Sequence, residues 1–146
     1  RGLECRDIRA REIRNAAFDE HAIEIEATEY VSSVGREVFF QALAPGRRIV
    51  GFLRLSLPNV DSFVEELGAS AVIREVHVYG SVVEIGAGPD ARSQHRGLGR
   101  TLIERARETA RDAGFRELAV ISAIGTKGYY RSLGFADCAL YQHRTP

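Results

Sequence analysis

Two short stretches carry residue types that can do chemistry. In SQHRGLGRTLIERARETA (93–110), Gln94, Gly97 and Gly99 stand at the spacing Q-x-x-G-x-G, with Arg96 and Arg100 beside the glycines and an amphipathic run behind them. The start of a helix exposes unpaired amides and the positive end of the helix dipole. Glycine removes the side chains that would hold an anion away, so a phosphate fits there. Arg96 and Arg100 would add charge-assisted contacts to its oxygens. The second stretch is YYRSLGF (129–135), in which Tyr130, Gly134 and Phe135 fill an aromatic-x-x-x-Gly-Phe pattern. A phenol, with a pKa of about 10, can hand a proton to a developing anion. Each stretch also has a plainer reading: a tight strand-to-helix turn that binds nothing, and two rings that only pack. The spacing is neither G-x-G-x-x-G nor a P-loop ending in Lys-Ser/Thr, so hydride transfer and nucleotide hydrolysis lose ground.

Other chemistry-bearing residues are sparser. Glu75 and His77 sit two apart on one strand and so share a face. Either could act as a base; for Glu75 a solvated strand face is the commoner outcome, for His77 a partly buried, hydrogen-bonded ring is an equal one, and neither enters the catalytic set. Cys5 and Cys138 lie far apart and make no metal-ligand spacing, so they read first as reduced thiols; a disulfide between them, or Cys5 binding a metal with ligands on another segment, stays open, and no metal site is assigned. Arg6, Arg9, Arg11 and Arg14 interleave with Glu4, Asp7 and Glu12, a pattern suited to docking on a neighbouring domain with some contribution from RNA.

The elements that must hold these groups follow from periodicity. HAIEIEATEY alternates, with Ile23, Ile25 and Ala27 on one side and Glu24 and Glu26 on the other, and predicts a half-buried strand. Two strand-like runs flank Ala44-Pro45-Gly46, a hairpin signal. VDSFVEELG reads as a helical turn or a loop. AVIREVHVYGSVVEI predicts a long strand with a bulge at Gly80. Leu98, Leu102, Ala106 and Ala110 recur at i+4 and predict a helix closed by Gly114. RELAVIS reads as a strand, KGYYRSLGF as a helical turn ending at Gly134, and FADCALYQHR as one last strand. The pattern is α+β, or mixed α/β, on one twisted sheet.

A chain of 146 residues with 45% apolar content and no run long enough to span a membrane is one domain with a real core. With Arg first and no methionine, it reads as a piece of something longer. Residues 1–18 are read as a linker or docking segment and 19–146 as the folded domain. Charge is zero overall, which argues against a uniformly basic nucleic-acid binder, yet it is uneven: +2 over 1–14, −7 over 15–90 and +5 over 91–146. No secretory signal is visible, and the expected location is the cytoplasm.

Q-x-x-G-x-G between a strand and a helix resembles motif A of the Gcn5-related (GNAT) acetyltransferases. The stretches CRDIRAREI, REVHVYGSVVEI, QHRGLGRTLIERA and VISAIGTKGYYRSLGF together resemble, more narrowly, the acetyltransferase-type domain of Elongator catalytic subunits. The resemblance covers most of the chain and is weakest over 15–70. It implies a GNAT-type acyl-CoA N-acyltransferase fold, a single domain with a central, mostly antiparallel sheet flanked by helices. It implies acetyl-CoA as the bound cofactor: Gln94, His95, Arg96, Gly97, Leu98, Gly99, Arg100 and Thr101 around the pyrophosphate, backbone of Val82 and Val83 along the pantetheine, and Tyr129 and Tyr130 catalytic at the thioester. It also implies a radical S-adenosylmethionine domain with a 4Fe–4S cluster elsewhere in the polypeptide, and tRNA as partner, for a carboxymethyl-type modification at C5 of the wobble uridine. No cluster-binding cysteine triplet occurs in this stretch. Relatives usually place two helices between the first two strands to shape an acceptor site, whereas VSSVG leaves room only for a loop. Two alternatives stay open: a stand-alone acetyltransferase acting on lysine or a small amine, and a CoA-binding or interaction domain without turnover. No membrane partner is implied, and no particular oligomeric state.

Overall fold

The computed structural model describes residues 7–14, 22–79 and 96–146, with Arg96 described by its backbone alone. Within these, seven strands form one sheet: β1 (Glu24–Ser32), β2 (Gly35–Ala44), β3 (Arg48–Pro58), β4 (Ala71–Val78), β5 (Leu118–Val120), β6 (Ala136–Asp137) and β7 (Gln142–Arg144). The spatial order is β1-β2-β3-β4-β5-β7-β6. Every neighbouring pair is antiparallel except β4 and β5, which run parallel and are joined by a crossover containing the longest helix, α2 (Arg96–Asp112). The expectation of a mostly antiparallel sheet flanked by helices is met.

The hairpin read from Ala44-Pro45-Gly46 joins β2 to β3, with Gly46 at φ +75°, a conformation that favours glycine. β1 and β2 pair from Ser32↔Gly35 back to Glu24↔Leu43, so only Ser33 and Val34 connect them. β1 is an edge strand. Ile23 and Ile25 pack against the core, but Ala27 is exposed, because α2 lies over β3 and β4 and does not reach beneath it.

β4 bends at Arg74: Arg54 pairs with Glu75, yet the next residue, Leu55, pairs with Ile73. This bulge lets the Arg74 guanidinium approach the buried Glu37 carboxylate (3.9 Å), which also accepts a 2.7 Å bond from Ser56 Oγ. The bulge expected at Gly80 falls outside the described residues. Residues 59–70 form turns and no helix, the loop reading of VDSFVEELG, with only Leu67 of that loop's large apolar groups buried. One other expectation changes. The single final strand is two short ones, β6 and β7, folded back where Cys138 N donates to Tyr141 O (2.9 Å).

The main core lies under α2. Leu102, Ile103, Ala106 and Ala110 are fully buried and meet Leu53 and Leu55 of β3 and Ala71 and Ile73 of β4. Burying Leu102 and Ile103 contributes about 1.5–3 kcal/mol each. Gly114, at φ +86°, stops the helix where the sequence placed its end. A one-turn helix, α1 (Ile8–Arg11), is capped by the Asp7 carboxylate accepting from Arg9 N (2.8 Å). Behind it Glu12 bridges to Ile49, and Ile13 is buried beside Ala42, Ala44 and Val50. No described helix is long and apolar enough to cross a membrane.

Candidate active site

The crossover dictates where the site can be. β4 and β5 pair only over Ala71↔Leu118, Val72↔Ala119 and Ile73↔Val120, after which β4 continues to Val78 while β5 has ended. Residues 74–78 keep their bonds to β3 on one side, but among the described residues no strand lines their other edge. The sheet therefore forks. The start of α2 stands at the same end of β4, since Gly51, paired with Val78, lies against Leu98: a Cβ added to Gly51 would be 3.3 Å from Leu98 Cδ2.

The first amides of a helix lack intrahelical acceptors, and the first turn of α2 carries no acidic side chain to compete for them. Gly97 is exposed, and a Cβ placed on it would meet nothing within 4 Å. Arg100 is exposed, so its guanidinium is available to a ligand at this end. The Thr101 hydroxyl donates to Gly97 O at 3.1 Å. Leu98 points into the core beside Gly51. Gly99 is buried for a different reason: a Cβ there would stand 2.9 Å from Tyr129 Oη and 3.7 Å from Val78 Cγ2. The glycine is what lets the phenol lie against the helix.

Tyr129 and Tyr130 belong to α3 (Lys127–Ser132), which ends at Gly134 with φ +87°. Their rings meet edge to face with centroids 5.5 Å apart, and Tyr130 meets Phe135 likewise at 5.6 Å. Tyr130 is buried, 8% exposed, whereas Tyr129 is 38% exposed. Burial raises the pKa of both phenols. For Tyr129 the Arg100 charge opposes that rise; for Tyr130 the neighbouring Tyr129 adds to it. Both hydroxyls therefore stay protonated through neutral and mildly alkaline pH.

The structure thus brings together Gly97, Gly99, Arg100 and Tyr129, two motifs some thirty residues apart in sequence. Val82, Val83, Gln94 and His95 lie outside the described residues. Val78, Gly51 and the open edge of β4 complete the site and were not anticipated; a glycine inside the otherwise apolar run of β3 was the one available signal. Glu75 and His77 share a face, as their spacing requires, on the side of the sheet away from α2. Glu75 faces Arg54 (3.8 Å), and the His77 ring lies 5.8 Å from Phe52 and 4.5 Å from Tyr79. Arg11 is held by Gln41 Oε1 at 2.8 Å.

Comparison with known proteins bears on the family and the fold. Residues 4–135 match the Acetyltransferase (GNAT) family. The chain is 40% identical to Elongator complex protein 3 of Danio rerio over 141 residues, covering 92% of this chain and 26% of that one. It is 34% identical to the tRNA uridine(34) acetyltransferase of Dehalococcoides mccartyi, covering 97% of this chain and 31% of the relative. The chain therefore spans about a quarter to a third of the length of these relatives. Among solved structures, the Elp3 of the archaeon Methanocaldococcus infernus, with its N-terminus deleted, superposes at a TM-score of 0.81 with 29% identity over 99% of this chain and 36% of that one. The GNAT N-acetyltransferase YhbS of Escherichia coli, solved in complex with CoA, shares the fold at a TM-score of 0.51 and 16% identity, covering 74% of this chain and 58% of that one.

Proposed function

The chain belongs to the GNAT acetyltransferase family, and we propose that it is the acetyl-CoA-binding unit of an Elongator-type enzyme acting on the wobble uridine of tRNA. One observation carries this reading: Tyr129 Oη rests against Gly99 at the open start of α2, so an anion-binding turn and a proton-bearing phenol share one mouth. The residues present suit a diphosphate, with a helix start, an exposed Gly97, an exposed Arg100 and no acid in the first turn.

When bound, acetyl-CoA supplies an activated acetyl thioester. The amides of 97–99 and the Arg100 guanidinium hold its diphosphate. Thr101 fastens the Gly97 carbonyl and so fixes the turn. The edge of β4 beyond Ile73, which no described strand lines, would offer backbone groups to the amide-bearing arm of the ligand, as to an added strand. Tyr129 keeps a proton on Oη, available to a leaving thiolate, while Tyr130 holds the Tyr129 ring in place. Transfer to a uridine at the level of the whole enzyme requires the radical S-adenosylmethionine chemistry that the resemblance assigns to another part of the polypeptide. An acetyltransferase acting on free amines is the weaker reading, because the two-residue link between β1 and β2 builds no acceptor wall.

Acetyl-CoA at a hundredfold excess over its Kd is expected to stabilise the chain by about 2.7 kcal/mol, a Tm rise of several degrees. In the full-length enzyme, acetyl-CoA hydrolysis should rise when tRNA is added. A flat melting curve with acetyl-CoA would remove the reading altogether; tRNA-independent transfer to a small amine would shift it to the alternative. Gly99→Ala places a methyl group against Tyr129 Oη and forces the phenol away. Turnover should fall on the order of 10²-fold with acetyl-CoA still raising the Tm, a split readable by pairing steady-state kinetics with thermal shift.

A further inference from the structure

At the opposite end of β4 from the start of α2, three ligand-type side chains converge. Glu66 from the 59–70 loop, Cys138 from the β6–β7 turn and His143 of β7 place a carboxylate oxygen, a thiol sulfur and an imidazole nitrogen all within 4.8 Å of one another. His143 makes this more than a chance cluster. Its side chain is 10% exposed, and both ring nitrogens are buried without a hydrogen-bond partner. A buried imidazole left so is costly unless something else engages it.

What surrounds the ring supplies the missing partner's chemistry. Glu66 Oε1 lies 3.7 Å from His143 Nε2. Ligands of a tetrahedral ion at about 2.0–2.3 Å stand roughly 3.3–3.8 Å apart. Glu117 Oε2 lies 3.4 Å from the other nitrogen, Nδ1, and itself accepts from Ser70 Oγ at 3.1 Å. A carboxylate behind the second nitrogen is the usual support for a metal-bound histidine. Glu66 is aimed as well: Leu140 N (2.9 Å) and Tyr141 N (3.0 Å) donate to its carboxylate, hold its pKa below the usual range, and leave capacity for a cation. Cys138 is exposed and gives an ion a way in.

We propose that Glu66, Cys138 and His143 bind a zinc-class divalent cation, with water as fourth ligand and Glu117 orienting His143. Thiolate with imidazole selects zinc, cobalt or a similar ion over magnesium or calcium. Binding releases the Cys138 proton, and the proton of any charged His143, to solvent. Closed, the site ties the β6–β7 turn to the 59–70 loop. It is independent of the acetyl-CoA reading.

The test is titration of the apo chain with Co²⁺, followed by absorption. One equivalent should bring up a thiolate-to-cobalt charge-transfer band with tetrahedral visible bands, all displaced by Zn²⁺. Cys138→Ser, at an exposed position, and His143→Gln should each abolish the band, whereas Cys5→Ser should keep it. Glu117→Gln should weaken Co²⁺ binding about 10–100-fold. A chain that takes up no Co²⁺ overturns the proposal. So does a band that survives Cys138→Ser or is lost with Cys5→Ser.

Discussion

Replacing Tyr129 by phenylalanine is expected to lower kcat for acetyl-CoA turnover in the full-length enzyme by about 10²- to 10⁴-fold, with the Tm near that of the parent chain. The phenol is the group that Gly99 makes room for, and its hydroxyl is the only part the substitution removes. The half-buried ring and its edge-to-face contact with Tyr130 are kept. The pH profile gives an independent check. A proton donor works only while protonated, and burial holds the Tyr129 pKa above 10. Activity assigned to this group should therefore be constant through neutral pH and fall as pH rises past the phenol's raised pKa. Arg100 favours the ionised phenol, so Arg100→Gln should move that alkaline limb to higher pH. If Tyr129→Phe retained parental kcat, the proton would have to come from another group.

Tyr130 calls for the opposite outcome. Tyr130→Ala should cost about 3–5 kcal/mol of stability, a large part of the 5–15 kcal/mol typical of a domain. Its ring is buried between Tyr129 and Phe135 and touches the cluster that includes Leu102, Ile103 and Leu133. Tyr130→Phe keeps that ring and should leave kcat within a few-fold of parent, by the same measurement that exposes Tyr129→Phe. Urea denaturation with both variants separates packing from chemistry. A Tyr130→Phe chain as inactive as Tyr129→Phe would mean that the buried hydroxyl also reaches the reacting atoms.

Local pattern carried much of this molecule. The alternation of Ile23, Ile25 and the glutamates gave β1, the i+4 spacing of Leu98, Leu102, Ala106 and Ala110 gave α2, and Gly46, Gly114 and Gly134 marked its turns at positions where positive φ is observed. Each is a signal read within a few residues. VDSFVEELG leaves a helical turn and a loop both open; it forms a loop, since Val64 and Leu67 have helical spacing but Phe63 is fully exposed, and two apolar residues do not make a face. The last strand splits because Cys138 and Tyr141 close a turn that no glycine or proline announces. The candidate site was legible as two separate motifs, not as one place. Gly99 meets Tyr129, and β4 outruns β5, through the parallel crossover, which no short window of sequence contains. The grouping of Glu66, Cys138 and His143 is still less visible, since one ligand comes from a loop some seventy residues upstream of the other two.

The connection through Ser33 and Val34 has a chemical corollary. That reversal sits beside Pro58 and Asn59, at the end of β3 away from Gly51, so among the described residues the β1–β2 link adds nothing over the start of α2. Whatever shapes an acceptor there must come from something other than this link.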